Sequence, residues 1–586
     1  AKVETRPGAM RRRGTSTTDR RPPPPCLSSL NQSQLRAAEA ACQDSGFTLI
    51  WGPPGTGKSS TLLALINALH LQEYERLHRA IEAMVLAQGT GSEDEQWCAA
   101  VRCAPRLLVT AGSNAAVEHL LARMFKQKFT DRQGNCYNPW GVVRVGSDRG
   151  EPHRADLDGR VQALLDLQDE AVTENLRQAT AELDKLRIQV RTLRKHIQAL
   201  QAEMPIPQGW TAHVSPETGF VEFHDHLRKQ ATWRRPNPPQ PDAPCVNLLD
   251  LPSAVEQLGT LIQCADRWWQ LQGQEQRLTL LQEHPCALRS AQKVHVLRAQ
   301  LEGSLLSRAH VVFSTLNSAA RLLPTAAENE PFGAVVVDEA AQSMEPSVLI
   351  PLQLARSNRC ILVGDDRQLP ATVFSPRPEL SRAGRSLFER LRQTGHEPQM
   401  LELQYRMAPE ISSFPRSYFY GGALKDAPGM EENSRRLLHG LCPPLLFVDV
   451  ESTAEREGGS WRNLREAQIC VALLRKLHSS AEEIGEANMA RDIGVITPYR
   501  AQCECLRQEL RRSASAVGPG VVDTIDAYQG RECELVVFSA VRAPDTSSDV
   551  GQIGFLADER RLNVALTRAK SILVVIGHGR TLKQSP

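Results

Sequence analysis

Several things are missing from this chain, and each absence removes a class of function. No apolar run approaches the roughly 20 residues a helix needs to cross a bilayer, which excludes a helical membrane protein. No signal-peptide core is visible either. The 14 cysteines include no C-x-x-C pair. The closest are Cys98/Cys103 and Cys503/Cys505, and most others sit singly in apolar surroundings, where Cys acts as a small hydrophobe. This spacing yields neither a zinc site nor a disulfide framework and points to a reducing compartment, cytoplasm or nucleus. Net charge is almost absent, with 69 Lys and Arg against 67 Asp and Glu. Residues 1–25 hold seven basic side chains against Glu4 and Asp19, so the remainder is net negative. Overall charge therefore offers no argument for a nucleic-acid partner, and any basic groove must be local. The first residue is Ala1 rather than Met, so the N-terminus is expected to be incomplete.

What is present reads as a multidomain globular chain. At roughly 150 residues per domain, a length of 586 corresponds to about four domains. Apolar residues at 41% and charged residues at 23% exclude a wholly disordered chain. The Arg-rich segment 1–26 has two readings, an organelle transit peptide or a solvated arm. Glu4, Asp19 and the Pro22–Pro25 run favour the arm.

Short β-branched runs alternate with helical stretches in two blocks. The first comprises 48–52, 107–111, 142–146, 311–315, 334–338 and 360–364; the second, 445–450, 493–497, 521–524, 535–540 and 572–577. Continuous apolar strands separated by helices predict parallel sheets covered on both faces. The expectation is an α/β chain with two such domains and a junction near 375–400. Within the first block, between Val145 and Val311, the period changes. Leu176, Leu183, Leu186, Val190, Leu193, Ile197 and Leu200 follow a 3-4 spacing, and Leu261, Cys264, Trp268, Leu271 and Leu278 keep it less strictly. Two readings stay open: an antiparallel helical arm, or two ordinary helices packed on the first α/β domain.

Gly52-Pro53-Pro54-Gly55-Thr56-Gly57-Lys58-Ser59 follows an apolar strand and opens a helix expected over 60–69. This is G-x-x-x-x-G-K-S/T in its required context. The glycines let backbone N–H groups curl around phosphates, and the helix N-terminus adds partial positive charge. Lys58 reaches the β and γ oxygens, and the Ser59 hydroxyl is a magnesium ligand. Asp338 and Glu339 follow a buried strand. The Asp is placed to hold the magnesium through water and the Glu to take a proton from attacking water. Adjacent carboxylates after an apolar run are seldom structural, because burying charge without a partner is costly. Gly364-Asp365-Asp366-Arg367-Gln368 ends another strand and places Gln368 to sense the γ-phosphate.

In this order the segments resemble motifs I, II and III of superfamily 1 helicases, and Asp338-Glu339-Ala340-Ala341-Gln342 resembles the up-frameshift/senataxin-like branch. Leu30-Asn31-Gln32-Ser33-Gln34 resembles the adenine-reading Q motif. Segments 108–117, 404–409, 496–502, 524–532 and 563–570 are similar to the family's remaining motifs. The resemblance implies two RecA-like P-loop domains in tandem, residues 27–160 plus 306–376 and residues 377–586; the helical stretch over 161–305 is then an insertion within the first domain, a coiled coil in the arm reading. It implies ATP and Mg2+, held by Gln34, Gly52, Pro53, Pro54, Gly55, Thr56, Gly57, Lys58, Ser59, Ser60, Tyr405 and Glu532. Tyr405 stacks on adenine, and Arg406 and Arg568 are arginine fingers. Single-stranded RNA or DNA is expected on Ser113, Asn114, Thr315, Pro498 and Tyr499, with 5′→3′ movement by a monomer. Two departures, Asp366 for the usual Pro and Ala408 for the usual His, remove no catalytic group. The small β-barrel common in the family has no counterpart before Leu30.

Within the insertion, residues 204–238 resemble a WW domain, a three-stranded sheet. By resemblance Trp210, Phe223 and Pro236 form its buckle, and His226 and Trp233 line its ligand groove. Glu222 stands where an aromatic ring normally stacks on proline, and Ala231 where a small hydroxyl residue is usual. Polyproline ligands dock on aromatic-lined grooves, so weak or no binding of a Pro-rich protein ligand is expected. His224 and His226 lack further ligands at metal-binding spacing.

Two functions remain. One is an ATP-driven translocase or helicase. The other is an ATP-gated nucleic-acid clamp that remodels nucleoprotein without unwinding duplex. No residue reports 2′-OH contacts, so RNA and DNA are equal candidates.

Overall fold

A computed structural model describes residues 24–584, apart from 44–45, 87–92, 132–133, 135, 138–140, 147–154, 203–209, 215–220, 226–229, 233–251, 287–290, 325–330, 357–358, 374–383, 432–442, 484–491, 514–520 and 544–552. Strands of the first block are β1 (Phe47–Trp51), β2 (Leu107–Ala111), β3 (Val142–Val145), β4 (Val311–Thr315), β5 (Ala334–Asp338), β6 (Cys360–Gly364) and β7 (Gln399–Met400). They form one parallel sheet in the order β7-β1-β6-β5-β2-β4-β3. The apolar runs that define these strands are buried on both sides. Leu49, Leu108, Val335 and Leu362 face one core, while Ile50, Leu107, Val336 and Ile361 face the other. Helices α1 (Gln32–Gln43), α2 (Lys58–Leu86) and, further on, α4 (Asn114–Gln127) cover the second face. Helix α3 (Glu93–Val101) lies between them in the chain.

Register decides where chemistry falls. Trp51 pairs with Gly364, Asp338 with Ala111, and Ala111 with Thr315. The carboxyl ends of β1, β6, β5, β2 and β4 therefore share one edge, the usual ligand side of an open α/β sheet.

The second block gives β8 (Leu445–Asp449), β9 (Ile493–Thr497), β10 (Val522–Thr524), β11 (Cys533–Ser539) and β12 (Ala569–Gly577). They make a parallel sheet ordered β8-β12-β11-β9-β10. Its two faces pack on helices 464–483 and 500–512, and on helices 409–418 and 559–566.

Two expectations are corrected. Helix α2 runs to Leu86 rather than ending near 69, because Leu77, Ala80, Ile81 and Met84 present a further apolar stripe. The first sheet also continues past 376. Leu387, Phe388 and Leu391 pack into its core and β7 pairs with β1 as an edge strand. A two-residue strand leaves no periodic signal in sequence.

Between β3 and β4 lie α5 (Leu157–Leu165), α6 (Asp169–Ala202), α7 (Pro252–Glu283) and α8 (Ala291–Ser307). Helices α6 and α7 run antiparallel: Cys286 N donates to Asp169 Oδ1 at 3.0 Å, Thr180 Oγ1 to Glu275 Oε1 at 3.1 Å, and Arg267 pairs with Glu182 at 2.6 Å. Both sequence readings hold in part. The hairpin exists, yet its stripe (Leu183, Val190, Leu261, Trp268) is buried against Leu77 and Ile81 of α2 and Trp97 of α3. It is docked on the first domain along that stripe.

Within the hairpin, strands Trp210–Val214, Val221–Asp225 and Gln230–Thr232 form an antiparallel sheet, with Trp210 opposite Asp225 and His224 opposite Ala231. His226, Trp233 and Pro236 lie outside the described residues. Among the described residues no helix is long and apolar enough to cross a membrane.

Candidate active site

The turn after β1 is set by backbone geometry. Gly52 N donates to Gly364 O at 3.0 Å, and Gly55 and Gly57 take φ of +73° and +75°. A side chain at either would also collide: a Cβ on Gly55 would lie 2.7 Å from Arg406 Cβ, and one on Gly57 2.7 Å from Gln34 Nε2. Only glycine leaves this concavity open. Lys58 begins α2 and its Nζ donates to Gly52 O at 2.9 Å across the turn.

At the end of β5, Asp338 is buried and its Oδ1 accepts from Glu339 N at 2.9 Å. Burial, and then the neighbouring Glu339, push its carboxyl up to about 7, with Lys58 opposing. Glu339 has a φ of +49°, left-handed for a non-glycine residue. Such a conformation costs on the order of 1–3 kcal/mol and persists where surroundings enforce it. Gln342 Nε2 donates to Glu339 Oε2 at 2.7 Å.

Beyond β6, Asp365 is buried and accepts four hydrogen bonds: from Trp51 Nε1 (2.9 Å), Arg367 N (3.1 Å), Gln368 Nε2 (2.6 Å) and Tyr420 Oη (2.7 Å). Gln368 is thus fixed, and its Oε1 accepts from Arg568 Nη2 at 3.4 Å. Asp366 pairs with Arg392 at 2.6 Å, and the same guanidinium lies 4.0 Å over the Trp51 ring. That contact accommodates the carboxylate where the family pattern has proline.

The second domain closes the site. Tyr405 N donates to Gly55 O at 2.8 Å, its hydroxyl accepts from Asn31 Nδ2 at 2.9 Å, and its ring is 49% exposed. Gln34 Nε2 donates to Thr56 O at 2.9 Å. Arg406 pairs with Glu532 at 2.6 Å and donates to Thr567 O at 3.1 Å. Arg568 is fully buried; burial and then Arg406 lower its guanidinium to about 9. Burial alone would raise the Glu532 carboxyl, but Arg406, Lys570 and Arg568 outweigh it and the net shift is downward.

One cavity of about 390 Å3 gathers Pro53, Pro54, Gly55, Thr56, Gly57, Lys58, Ser59, Glu339 and Gln368 from the first domain with Tyr405, Arg406, Glu532 and Arg568 from the second. Gln34 and Ser60 line an adjoining cavity of about 550 Å3, which also touches Gly57 and Tyr405. Gly52 and Asp338 are not in its lining but each is bonded to a lining residue, Gly52 O accepting from Lys58 Nζ and Asp338 Oδ1 from Glu339 N. His119, Arg123, Gly530 and Lys570 also line the first cavity; Gly530 and Lys570 fall in the motif segments 524–532 and 563–570, whereas His119 and Arg123 were not singled out by sequence. Burial, and then Arg123, hold the His119 imidazole below its usual range. The only sequence signal for the α4 pair was their i, i+4 spacing on a helix, which is uninformative by itself.

Along the shared sheet edge, Ser113 caps α4, accepting from Ala116 N at 3.2 Å, and Ser113 and Asn114 are both exposed. Thr315 Oγ1 donates to Ser318 Oγ at 2.8 Å nearby. Pro498 is half-buried at the end of β9. Tyr499 departs from expectation: it is only 4% exposed, and its hydroxyl accepts from Phe555 N at 3.4 Å. Phe555, 52% exposed, is the ring that faces outward, with Arg561 stacked 5.1 Å from its centre. The tyrosine is covered because Gly554 leaves room for its hydroxyl directly below.

Two family profiles, each described as an AAA domain, match residues 29–376 and 383–580. Helicase SEN1 of Saccharomyces cerevisiae is 32% identical over 569 residues, 95% of this chain and 22% of that protein. Probable helicase senataxin of Homo sapiens is 29% identical over 602 residues, 97% of this chain and 19% of its own. ATP-dependent helicase upf1 of Schizosaccharomyces pombe is 34% identical over 321 residues, 52% of this chain and 33% of its own. The chain thus spans about a fifth to a third of the length of these relatives.

Proposed function

We propose, from the premise that this chain belongs to the AAA-domain, Upf1-like superfamily 1 helicases, that it is an ATP-driven translocase and helicase moving 5′→3′ along single-stranded RNA or DNA. The observation that carries this reading is the single cavity joining Lys58, Ser59, Glu339 and Gln368 of one domain to Arg406 and Arg568 of the other.

In this reading, backbone N–H groups of 52–59 cradle the triphosphate and Lys58 takes its β and γ oxygens. The left-handed turn at Gly55 and Gly57, which lines the cavity beside Lys58 and Ser59, is the fit for phosphate. The Ser59 hydroxyl and Asp338 carboxylate, oxygen donors suited to a hard cation, would hold Mg2+. When bound, the ion supplies charge neutralisation for phosphoryl transfer. Glu339 takes the proton of the attacking water, and Gln368 orients the γ end. Gln34 reads adenine, with Tyr405 stacked on it and Glu532 facing the ribose. Arg406 and Arg568 neutralise charge that develops in the transition state, a contribution of ~10³–10⁵ in rate where measured. Both arginines come from the second domain, so hydrolysis is tied to closure between domains. Closure shifts the strand contacts of the two domains, Ser113, Asn114 and Thr315 against Pro498 and Phe555, whose ring packs on Tyr499. Phosphate contacts and stacking rather than base readout hold the strand.

The module at 204–238 belongs to the reading as a WW-like sheet, supported by its three antiparallel strands. With Glu222 at the sequence position where an aromatic ring is usual, a Pro-rich ligand should bind weakly or not at all.

The test is ATP turnover with single-stranded RNA and DNA of equal length. The wild-type rate should rise severalfold with a strand, since strand binding favours the closed state. Glu339→Gln should nearly abolish turnover while ATP still binds, and Lys58→Ala should weaken both. Near-normal turnover by the Glu339 variant would sink the general-base role. ATP hydrolysis without displacement of a duplexed strand would favour the clamp.

A further inference from the structure

The helical hairpin carries a hydrogen-bonding deficit where it docks. Trp97 of α3 and Trp268 of α7 meet edge to face, with ring centres 6.0 Å apart and both side chains buried. Beside them is a cavity of about 20 Å3, lined further by Met84 of α2 and by Arg187, Arg191 and Arg194 along one side of α6. At roughly 10–15 Å3 for a water-sized atom, it has room for one or two oxygens. Donors on its walls are unmet. Among the described residues, Trp97 Nε1 and Arg187 Nε are buried without a hydrogen-bond partner. Asp184 takes only Arg187 Nη1, at 3.0 Å, and Arg194 Nη2 donates to Met84 O at 3.4 Å. An indole and a guanidinium can only donate, so each loses its bond to water on burial and gains nothing in return.

What is missing is an acceptor, and the surroundings specify its chemistry. Three guanidiniums on one side of α6 favour a negatively charged acceptor over water. The space takes the two oxygens of a carboxylate but not the four of a phosphate. Position argues the same way. Met84 lies 26 residues beyond Lys58 on α2, roughly 39 Å along the helix from the phosphate turn and the sheet edge, so nothing bound at those places reaches it. Outside the cavity Arg191 is exposed, and Ile188, its neighbour three residues earlier on the helix surface, is 65% exposed. An uncovered isoleucine beside an arginine suits a protein chain rather than a free ion. We propose that this cavity is a docking site for an acidic peptide segment of a protein partner. One Asp or Glu carboxylate of that segment enters and accepts from Trp97 Nε1 and Arg187 Nε, while an apolar neighbour covers Ile188. Buried Trp and Arg side chains are the usual anchors of protein interfaces. The site stands whether or not the ATP reading does.

The experiment is fluorescence polarisation of the full chain at low salt with a labelled peptide of alternating Glu and Leu, beside the same peptide with Gln for Glu. The Glu peptide should bind, and the Gln peptide should bind about tenfold more weakly or worse. Trp97→Phe keeps the buried ring and removes its N–H; Arg187→Gln removes the guanidinium and leaves the aromatic packing intact, so the test holds even if the first variant disturbs the fold. Each should weaken the Glu peptide about tenfold, the scale of one hydrogen bond to a charged group. Lys185→Gln removes a charge from an exposed residue of α6 outside the cavity and should change the affinity less than about twofold. Affinity for a single-stranded oligonucleotide should stay within about twofold of wild type in all three variants. A wild-type chain that ignores the Glu peptide at millimolar concentration would mean that the cavity holds ordered water only, and would overturn the proposal. Equal losses in Lys185→Gln and Arg187→Gln would reduce it to diffuse charge attraction and overturn it as well. A loss of oligonucleotide affinity matching the loss for the peptide would assign the cavity to nucleic acid, with the same result.

Discussion

Asp365 offers the sharpest test of how this site is held together, because a one-atom change reverses its chemistry. The carboxylate is 2% exposed and receives four donors, two on each oxygen. Asp365→Asn keeps the shape but turns one acceptor into a donor. If the new amide N faces Trp51 Nε1 and Arg367 N, neither donor can turn away. If it faces the other side, the Tyr420 hydroxyl can rotate and accept. Gln368 must then flip, which places its Nε2 against Arg568 Nη2 where Oε1 now accepts at 3.4 Å. The cheaper arrangement still loses two hydrogen bonds to a charged group. At about 1.5–3 kcal/mol each, less what rotation recovers, a net destabilisation of roughly 2–3 kcal/mol follows. With about 2–4 °C per kcal/mol for a domain of 150–250 residues, the unfolding midpoint should fall by about 5–10 °C. Misdirecting Gln368 and Arg568 together should cost kcat about a hundred- to a thousandfold, on the scale of losing one transition-state donor. Differential scanning fluorimetry and strand-stimulated ATPase read the two effects separately. Tyr420→Phe removes one donor but leaves Gln368 in place, so its midpoint should drop less and its kcat should change less. The argument would be refuted by an Asp365→Asn chain that melts within about 1–2 °C of wild type and turns over within about twofold of it. Losing charge-assisted hydrogen bonds in a buried site has an unavoidable cost if the four bonds exist.

Three other outcomes are expected. Burial pushes Glu466 from the ordinary 4.5 to about 7, against hydrogen bonds from Val541 N and Ser539 Oγ. The folded state then holds a proton that the unfolded state releases, so this group's stability is complete below about pH 4.5 and is lost as pH rises through about 7. Glu466→Gln should flatten that part of the melting profile between about pH 5 and 8, and an unchanged slope would show the carboxyl is not the source. Salt should erode strand stimulation of the ATPase, as phosphate contacts release counterions; a stimulation equal at about 50 and 300 mM salt would count against a backbone-held strand. Replacing residues 204–238 by a short Gly/Ser linker should leave the ATPase working, because the docked stripe of α6 and α7 lies outside the excised segment; loss of hydrolysis in a folded chain would contradict that independence.

The strands and the phosphate turn were legible because their causes are local. Short apolar runs bounded by helices are the pattern of buried parallel strands, and Gly55, Gly57, Lys58 and Ser59 act through spacing along a few residues. Asp338, Glu339 and Gln368 were legible for the same reason, since each sits at or just past a strand end and parallel register brings strand ends to one edge. The heptad stripe of α6 likewise announced a partner, though not which one. What sequence could not decide is which distant groups meet. The hairpin packs on an extension of α2 because Leu77 and Ile81 match the stripe in space, although they are far from it along the chain. Tyr499 is hidden by Gly554, and the outward ring is Phe555. Asp365 gathers Trp51 and Tyr420 from opposite sides, and Arg123 comes to the cavity from a helix whose start faces elsewhere. These contacts arise from how rigid elements dock. Docking depends on the summed shape of many side chains, which no window of neighbouring residues contains.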